Sequence, residues 1–241
     1  MRLDVVFLPK DLQPEHLNQR TVVVFDVLRA TTSMAAALHA GATEIQIYPN
    51  TNAALAAGAA FEGNRLLCGE EQCLPPPGFD VGNSPAAFLP DLCASRTILM
   101  STTNGTRAIY AGRGASQIFI GALVNAAATA QALLAAKLDT TLLCAGTNGA
   151  IAVEDILGAG AVLYEIERVT QITPQSDCVA IARQLFQSCR DNLLSHLRQT
   201  RGGQNIIRAG LQPDIEFASR LNFLHVAGKV SGEPPTVRRI R

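Results

Sequence analysis

Tryptophan is absent from this 241-residue sequence and aromatic residues make up only 5% of it, so the core cannot be built on large rings. With 48% of residues hydrophobic, it has to be packed mainly from Ala, Val, Ile and Leu, which suits helices laid against strands in a layered α/β protein. Net charge is missing too. Twenty Lys and Arg balance twenty Asp and Glu, leaving no general field to hold a nucleic-acid backbone or an anionic membrane, so any anion site must be local. No apolar run approaches the roughly 20 residues that span a bilayer. The segment Met1 to Lys10 lacks the basic head, long apolar stretch and cleavage site of a secretory signal. The expected address is therefore the cytoplasm, with neither nucleic acid nor membrane as partner and homo-oligomerisation left open. Six scattered cysteines, at positions 68, 73, 93, 144, 178 and 189, read as reduced thiols in a chain large enough to fold without staples.

Familiar catalytic signatures are also lacking. There is no Walker A loop, no G-x-S-x-G elbow and no C-x5-R phosphatase loop. A haloacid-type D-x-D is ruled out because Leu28 stands two residues after Asp26. The histidines, at 16, 39, 196 and 225, fall outside the segments with chemical promise and read as surface or packing residues.

What is present is a device used three times, a short apolar run ending in polar or glycine-rich residues and followed by an alanine-rich helical stretch. Thr21 to Leu28, Thr97 to Ser101 and Thr140 to Cys144 read as buried parallel strands feeding crossover helices. The first two units also end alike: Gly41-Ala42 before Ile45 and Ile47 matches Gly114-Ala115 before Ile118 and Ile120. Thr103-Asn104-Gly105 recurs as Thr147-Asn148-Gly149 in the third, and an ancient duplication is compatible with this pattern. Between the first two units, Leu66 to Pro90 holds three consecutive prolines and the turn former Asn83-Ser84-Pro85. It predicts a long loop ordered by Phe79, Val81 and Phe88. Beyond Pro174 the reading is a helical segment from Ser176 to Thr200, the loop Arg201-Gly202-Gly203-Gln204, a further helix start and a polar tail containing Pro234-Pro235. The expectation is one domain over residues 1 to 241, a layered α/β/α sandwich around a mostly parallel sheet.

Strand-to-helix turns gather backbone N–H groups and positive helix ends at one sheet edge, where ligands of open α/β sheets collect. Here they supply Arg29, Thr31, Thr32 and Ser33, then Thr102, Thr103, Asn104, Gly105, Thr106 and Arg107, then Asn148 and Gly149. Hydroxyls, glycines and guanidinium groups are what a phosphate needs; helix capping would explain one such residue per helix but not the run TTNGTR. Acids fall at the same edge. Asp26 sits inside an otherwise apolar strand, where an unpaired carboxylate is costly to bury and calls for a metal or an arginine such as Arg29. Glu70-Glu71 opens the proline-rich loop and Glu154-Asp155 follows the third turn; hard oxygen ligands of this kind suit Mg²⁺, which pairs naturally with phosphate.

The segments FDVLRATTS, CGEEQCLPPPGFDVGNSPAAF, STTNGTRA and CAGTNGAIAVEDILGAGA, in this order, resemble the motif blocks of the 2-phosphosulfolactate phosphatase family over roughly Leu3 to Val237. The resemblance implies a Mg²⁺-dependent phosphatase releasing 3-sulfolactate and phosphate from 2-phospho-3-sulfolactate, a step of coenzyme M synthesis in methanogens. On that footing Asp26, Glu154 and Asp155 are the candidate catalytic acids, and Mg²⁺ falls to Asp26 with Glu71, Glu154 or Asp155. Thr102, Asn104, Gly105 and Arg107 hold the phosphate, with Thr31, Thr32, Thr103 and Thr106 nearby, and Arg29 faces the substrate's carboxylate or sulfonate. One departure stands out: Gly69-Glu70-Glu71-Gln72 occupies a loop that in the family more often carries an arginine after its glutamate. A non-catalytic binder of a phosphorylated metabolite, and a lyase or mutase acting on a phosphorylated acid, would share the same binding groups.

Overall fold

The computed structural model describes residues 1–240, and among these one ten-stranded sheet forms the centre. Its strands are β1 (Arg2–Val6), β2 (Thr21–Phe25), β3 (Glu44–Ile47), β4 (Arg65–Gly69), β5 (Thr97–Ser101), β6 (Gln117–Gly121), β7 (Thr140–Cys144), β8 (Thr173–Pro174), β9 (Gly228–Ser231) and β10 (Thr236–Arg239). The helices are α1 (Ala30–His39), α2 (Thr51–Ala60), α3 (Pro90–Cys93), α4 (Gly105–Ala111), α5 (Ala126–Ala136), α6 (Val153–Glu167), α7 (Asp177–Cys189), α8 (Leu193–Gln199), α9 (Arg201–Arg208) and α10 (Gln212–Ala218). Helices cover both faces of the sheet, giving the expected α/β/α layers.

The strand order is β4-β5-β3-β10-β9-β6-β2-β7-β1-β8. Within β4-β5-β3 and within β6-β2-β7-β1-β8 every pairing is parallel. The hairpin β9–β10 joins these blocks through three antiparallel pairings, so the blocks run in opposite directions. In a flat sheet their carboxyl ends would lie at opposite edges. A twist of roughly 20–25° per step, accumulated over the five steps from β5 to β2, amounts to about 100–125° and is enough to turn those ends toward one cleft. The sheet curls around α1, whose residues Ala30 to Leu38 are all buried and mostly small, as an all-round buried helix requires.

Both matching units cross between the blocks. β2 belongs to one and β3 to the other, and α1 connects them; α4 makes the reverse passage from β5 to β6. Each unit's first strand pairs with the other's second, β2 with β6 and β5 with β3. The spatial arrangement thus carries the pseudo-symmetry that the paired glycines suggested.

Three expectations need correction. β2 stops at Phe25, so Asp26 stands just beyond the strand instead of inside it. Arg201-Gly202-Gly203-Gln204 is the first turn of α9 and not a loop, because the Thr200 hydroxyl caps it by accepting from Gly203 N at 3.0 Å. The polar C-terminal tail is the hairpin that bridges the blocks; Val230, Thr236 and Val237 are buried while Arg238 and Arg239 are exposed. The proline-rich loop is ordered as expected: Asp80 accepts from Leu67 N at 2.7 Å and Phe88 is buried. No helix among the described residues is long and apolar enough to cross a membrane.

Candidate active site

Asp26 follows directly on a strand buried along its whole length, so its carboxylate enters the interior with little choice of direction. Its Oδ1 accepts from Ala30 N at 3.2 Å, in the first turn of α1. Across from it begins α4, where a Cβ added at Gly105 would lie 2.6 Å from Ala30 Cβ and 2.9 Å from Asp26 Oδ2. Glycine is what lets the two crossover helices meet at the carboxylate.

These ends border a cavity of about 340 Å³. Four loops contribute: Asp26, Leu28 and Arg29 after β2; Glu70 to Cys73 after β4; Thr103 and Asn104 after β5; Thr147 and Asn148 after β7. Asn83 from the proline-rich loop and Gly202, Asn205 and Ile206 of α9 complete the wall. Glu70 ties two of the loops together, its Oε1 accepting from Thr103 N at 2.8 Å and its Oε2 from Cys73 N at 3.1 Å. The Asn104 Oδ1 accepts from Asn148 N at 3.2 Å, which joins the two Thr-Asn-Gly turns. Positive φ at Asn148 and Gly149, 51° and 75°, shapes the second of these turns.

Acid dominates. Burial, reinforced by the charge of Glu70, raises the Asp26 carboxyl from 3.8 to about 7. Burial also raises Glu154, with Thr200 and the Gly202 backbone pulling the other way. Both Glu154 oxygens are buried without a hydrogen-bond partner of normal geometry, and an added Cβ at Gly202 would collide with Oε1, so this carboxylate lies immediately behind the cavity wall. Asp155 is pushed well above the ordinary carboxylate range by burial and then by the charges of Asp26 and Glu154.

The structure brings together Asp26, Arg29, Glu71, Thr103, Asn104 and Asn148 on the cavity, with Gly105 against Asp26 and Glu154 behind Gly202. It does not bring the other candidates there. Asp155 spends both oxygens on its own framework, Oδ1 accepting from Val27 N at 2.8 Å and Oδ2 from Gly146 N at 3.0 Å, and so joins the turns after β2 and β7. Thr31 donates to Asp26 O and Thr32 to Val27 O, bracing the entry to α1. Thr102 and Thr106 bond each other across the first turn of α4. Arg107 is exposed on α4 and is not among the residues lining the cavity. Glu71, although it borders the cavity, is exposed and accepts from Thr51 Oγ1 at 3.0 Å. The arginine partner imagined for Asp26 is engaged elsewhere, since Arg29 pairs with Asp214.

Sequence reasoning missed Glu70 as the inner acid of its pair, and gave no place at the site to Cys73, Asn83, Asp214 or α9. The pair Gly202-Gly203, unusual at a helix start, was the available signal for α9. Cys73 lines the cavity, but burial raises its thiol, which keeps it protonated and a poor nucleophile. A roomier cleft of about 660 Å³ opens beside β1, where Arg2 pairs with Asp139 and Asp4 with His16.

The acids set a condition on any anionic ligand. Among the described lining residues the only guanidinium is Arg29, balanced by Asp214, against Asp26, Glu70 and Glu71, so a phosphate needs a cation to accompany it. No three His, Cys, Asp or Glu side chains among the described residues converge into a full metal cage. Mg²⁺ commonly takes one or two carboxylates and fills its other positions with water and substrate phosphate. Asp26 and the unpartnered Glu154 are the donors that fit.

The model of one family, described as 2-phosphosulpholactate phosphatase, matches residues 6–233. Relatives named probable 2-phosphosulfolactate phosphatase include one from Symbiobacterium thermophilum, 36% identical over 88% of this chain and 91% of its own. Another, from Carboxydothermus hydrogenoformans, is 35% identical over 94% and 92%. A third, from Parasynechococcus marenigrum, is 37% identical over 86% and 85%.

Proposed function

The chain belongs to the 2-phosphosulpholactate phosphatase family, and from that premise we propose that it is a Mg²⁺-dependent phosphoric monoester hydrolase converting 2-phospho-3-sulfolactate, or a closely similar phosphorylated hydroxy acid, to 3-sulfolactate and phosphate. The observation that carries the reading is the acid-rich cavity, lined also by Asn and Thr side chains and by a single arginine. A small substrate carrying a phosphate and further acid groups matches that lining.

In this reading Asp26 and Glu154 hold the cation. Mg²⁺, when bound, neutralises charge on the phosphoryl oxygens and polarises them toward attack. Thr103, Asn104 and the backbone at Gly105 orient the phosphoryl group; the Asn104 amide N–H₂ is free to donate, because its carbonyl oxygen is already engaged by Asn148. Glu70 keeps the Thr103 loop in place, and Arg29 faces the carboxylate or sulfonate. Asp155 maintains the spacing of the two turns without touching substrate.

Release of inorganic phosphate from 2-phospho-3-sulfolactate across a Mg²⁺ series is the test. Activity should vanish in EDTA and return with Mg²⁺, and the Mg²⁺ requirement should climb as pH falls below about 7, where protons compete for Asp26. Full turnover in metal-free enzyme would defeat the assignment.

A further inference from the structure

The side chains of Arg29 and Asp214 are 3% and 4% exposed and joined by a 2.6 Å contact from Nη1 to Oδ2 across 185 positions of sequence. Two further bonds hold the same guanidinium: Nη1 donates to Ser84 Oγ at 3.2 Å and Nη2 to Cys73 O at 2.6 Å. Ser84 in turn donates to Asp214 Oδ2 at 2.9 Å. A guanidinium has five N–H groups, and these contacts engage three of them. Nε and one hydrogen on Nη2 have no acceptor among the described residues, on a side chain that borders the cavity.

Arg29 is therefore gripped from three directions, by the loop after β4, by the proline-rich segment and by α10, while two donors stay unclaimed. A role confined to tying α10 to the core would not call for a residue that also lines the cavity. A flexible arginine would lose side-chain entropy on closing over a ligand; one already held loses little. We infer that Asp214, with Ser84, is a positioning residue that fixes Arg29 as a receptor for the non-phosphate acid group of the substrate, and so determines the preference for phosphorylated acids over simple phosphate esters. The inference rests on the proposed substrate class. It adds to it a residue of α10 that reaches no substrate atom itself.

Calorimetric binding at saturating Mg²⁺ separates this role from a structural one, using 3-sulfolactate as a probe with acid groups but no phosphate, and inorganic phosphate as its counterpart. Asp214→Asn should weaken 3-sulfolactate about tenfold or more, as expected on disturbing a charge-assisted hydrogen bond, and leave phosphate affinity unchanged. Ser84→Ala, which strands no buried charge, should weaken 3-sulfolactate about threefold with phosphate again unchanged. Equal losses for both probes, loss confined to phosphate, no loss, or no binding of 3-sulfolactate by the unaltered protein would each overturn the inference. Should Asp214→Asn fail to fold, the Ser84→Ala result decides alone. Turnover of the unaltered enzyme is measured separately, so the selective pattern without phosphate release would refute the hydrolase reading and leave the positioning role standing.

Discussion

A carboxyl raised from 3.8 to about 7, as Asp26 is by burial and by Glu70, makes the folded protein less stable wherever that group must ionise. The folded state keeps the proton up to about pH 7, whereas the unfolded chain gives it up near 4. Between these values the unfolded state binds fewer protons, so stability falls as pH rises through the window and is lowest above it. Asp26→Asn should consequently melt higher than the unaltered protein at pH 8 in EDTA, by on the order of 2–4 kcal/mol, and alike at pH 4. Mg²⁺ should raise the melting temperature of the unaltered protein at pH 8 and not that of the variant. Thermal melts of both proteins, with EDTA and with Mg²⁺, check this; a variant less stable than its parent at pH 8 would contradict it. Asp26 was legible in sequence because a charge closing an apolar run is conspicuous. Asp214 and the position of Glu154 against Gly202 were not, since what matters about them is created by contacts across the fold.

At the scale of elements, the site depends on two crossover helices meeting end to end. Gly105→Ala inserts a methyl where 2.6 Å separates it from Ala30 and 2.9 Å from Asp26 Oδ2, so α4 must retreat. The expected result is a loss of about 1–3 kcal/mol in stability, as overpacking of this kind usually brings, together with a fall in kcat/KM for phosphate release. Denaturant melts and steady-state kinetics on one preparation measure both; an unaffected variant would mean that the helix ends do not meet as described. The three strand-helix units were readable from their apolar runs and closing glycines. The threonines of these turns were harder to place, because a hydroxyl that braces its own turn and one that binds phosphate look alike in sequence. Thr31, Thr32, Thr102 and Thr106 prove to brace.

At the scale of the whole molecule, a chain with no net charge sets Asp26, Glu70 and Glu71 on one small cavity and gives it Arg29, already balanced by Asp214, as its one guanidinium among the described residues. The layered architecture could be anticipated from composition and repeated units. The opposed direction of the two blocks could not, because it depends on a C-terminal hairpin whose charged outward residues and Pro234-Pro235 gave it the look of a tail. That hairpin reverses the sheet and, with its twist, gathers the loops of both blocks at one cleft. The most direct test is to follow ³¹P and proton NMR spectra of 2-phospho-3-sulfolactate with the enzyme and Mg²⁺. The account predicts inorganic phosphate and 3-sulfolactate appearing in equal amounts and no other phosphorus signal. A phosphate ester isomer, an unsaturated product, or a substrate spectrum unchanged by the enzyme would contradict it.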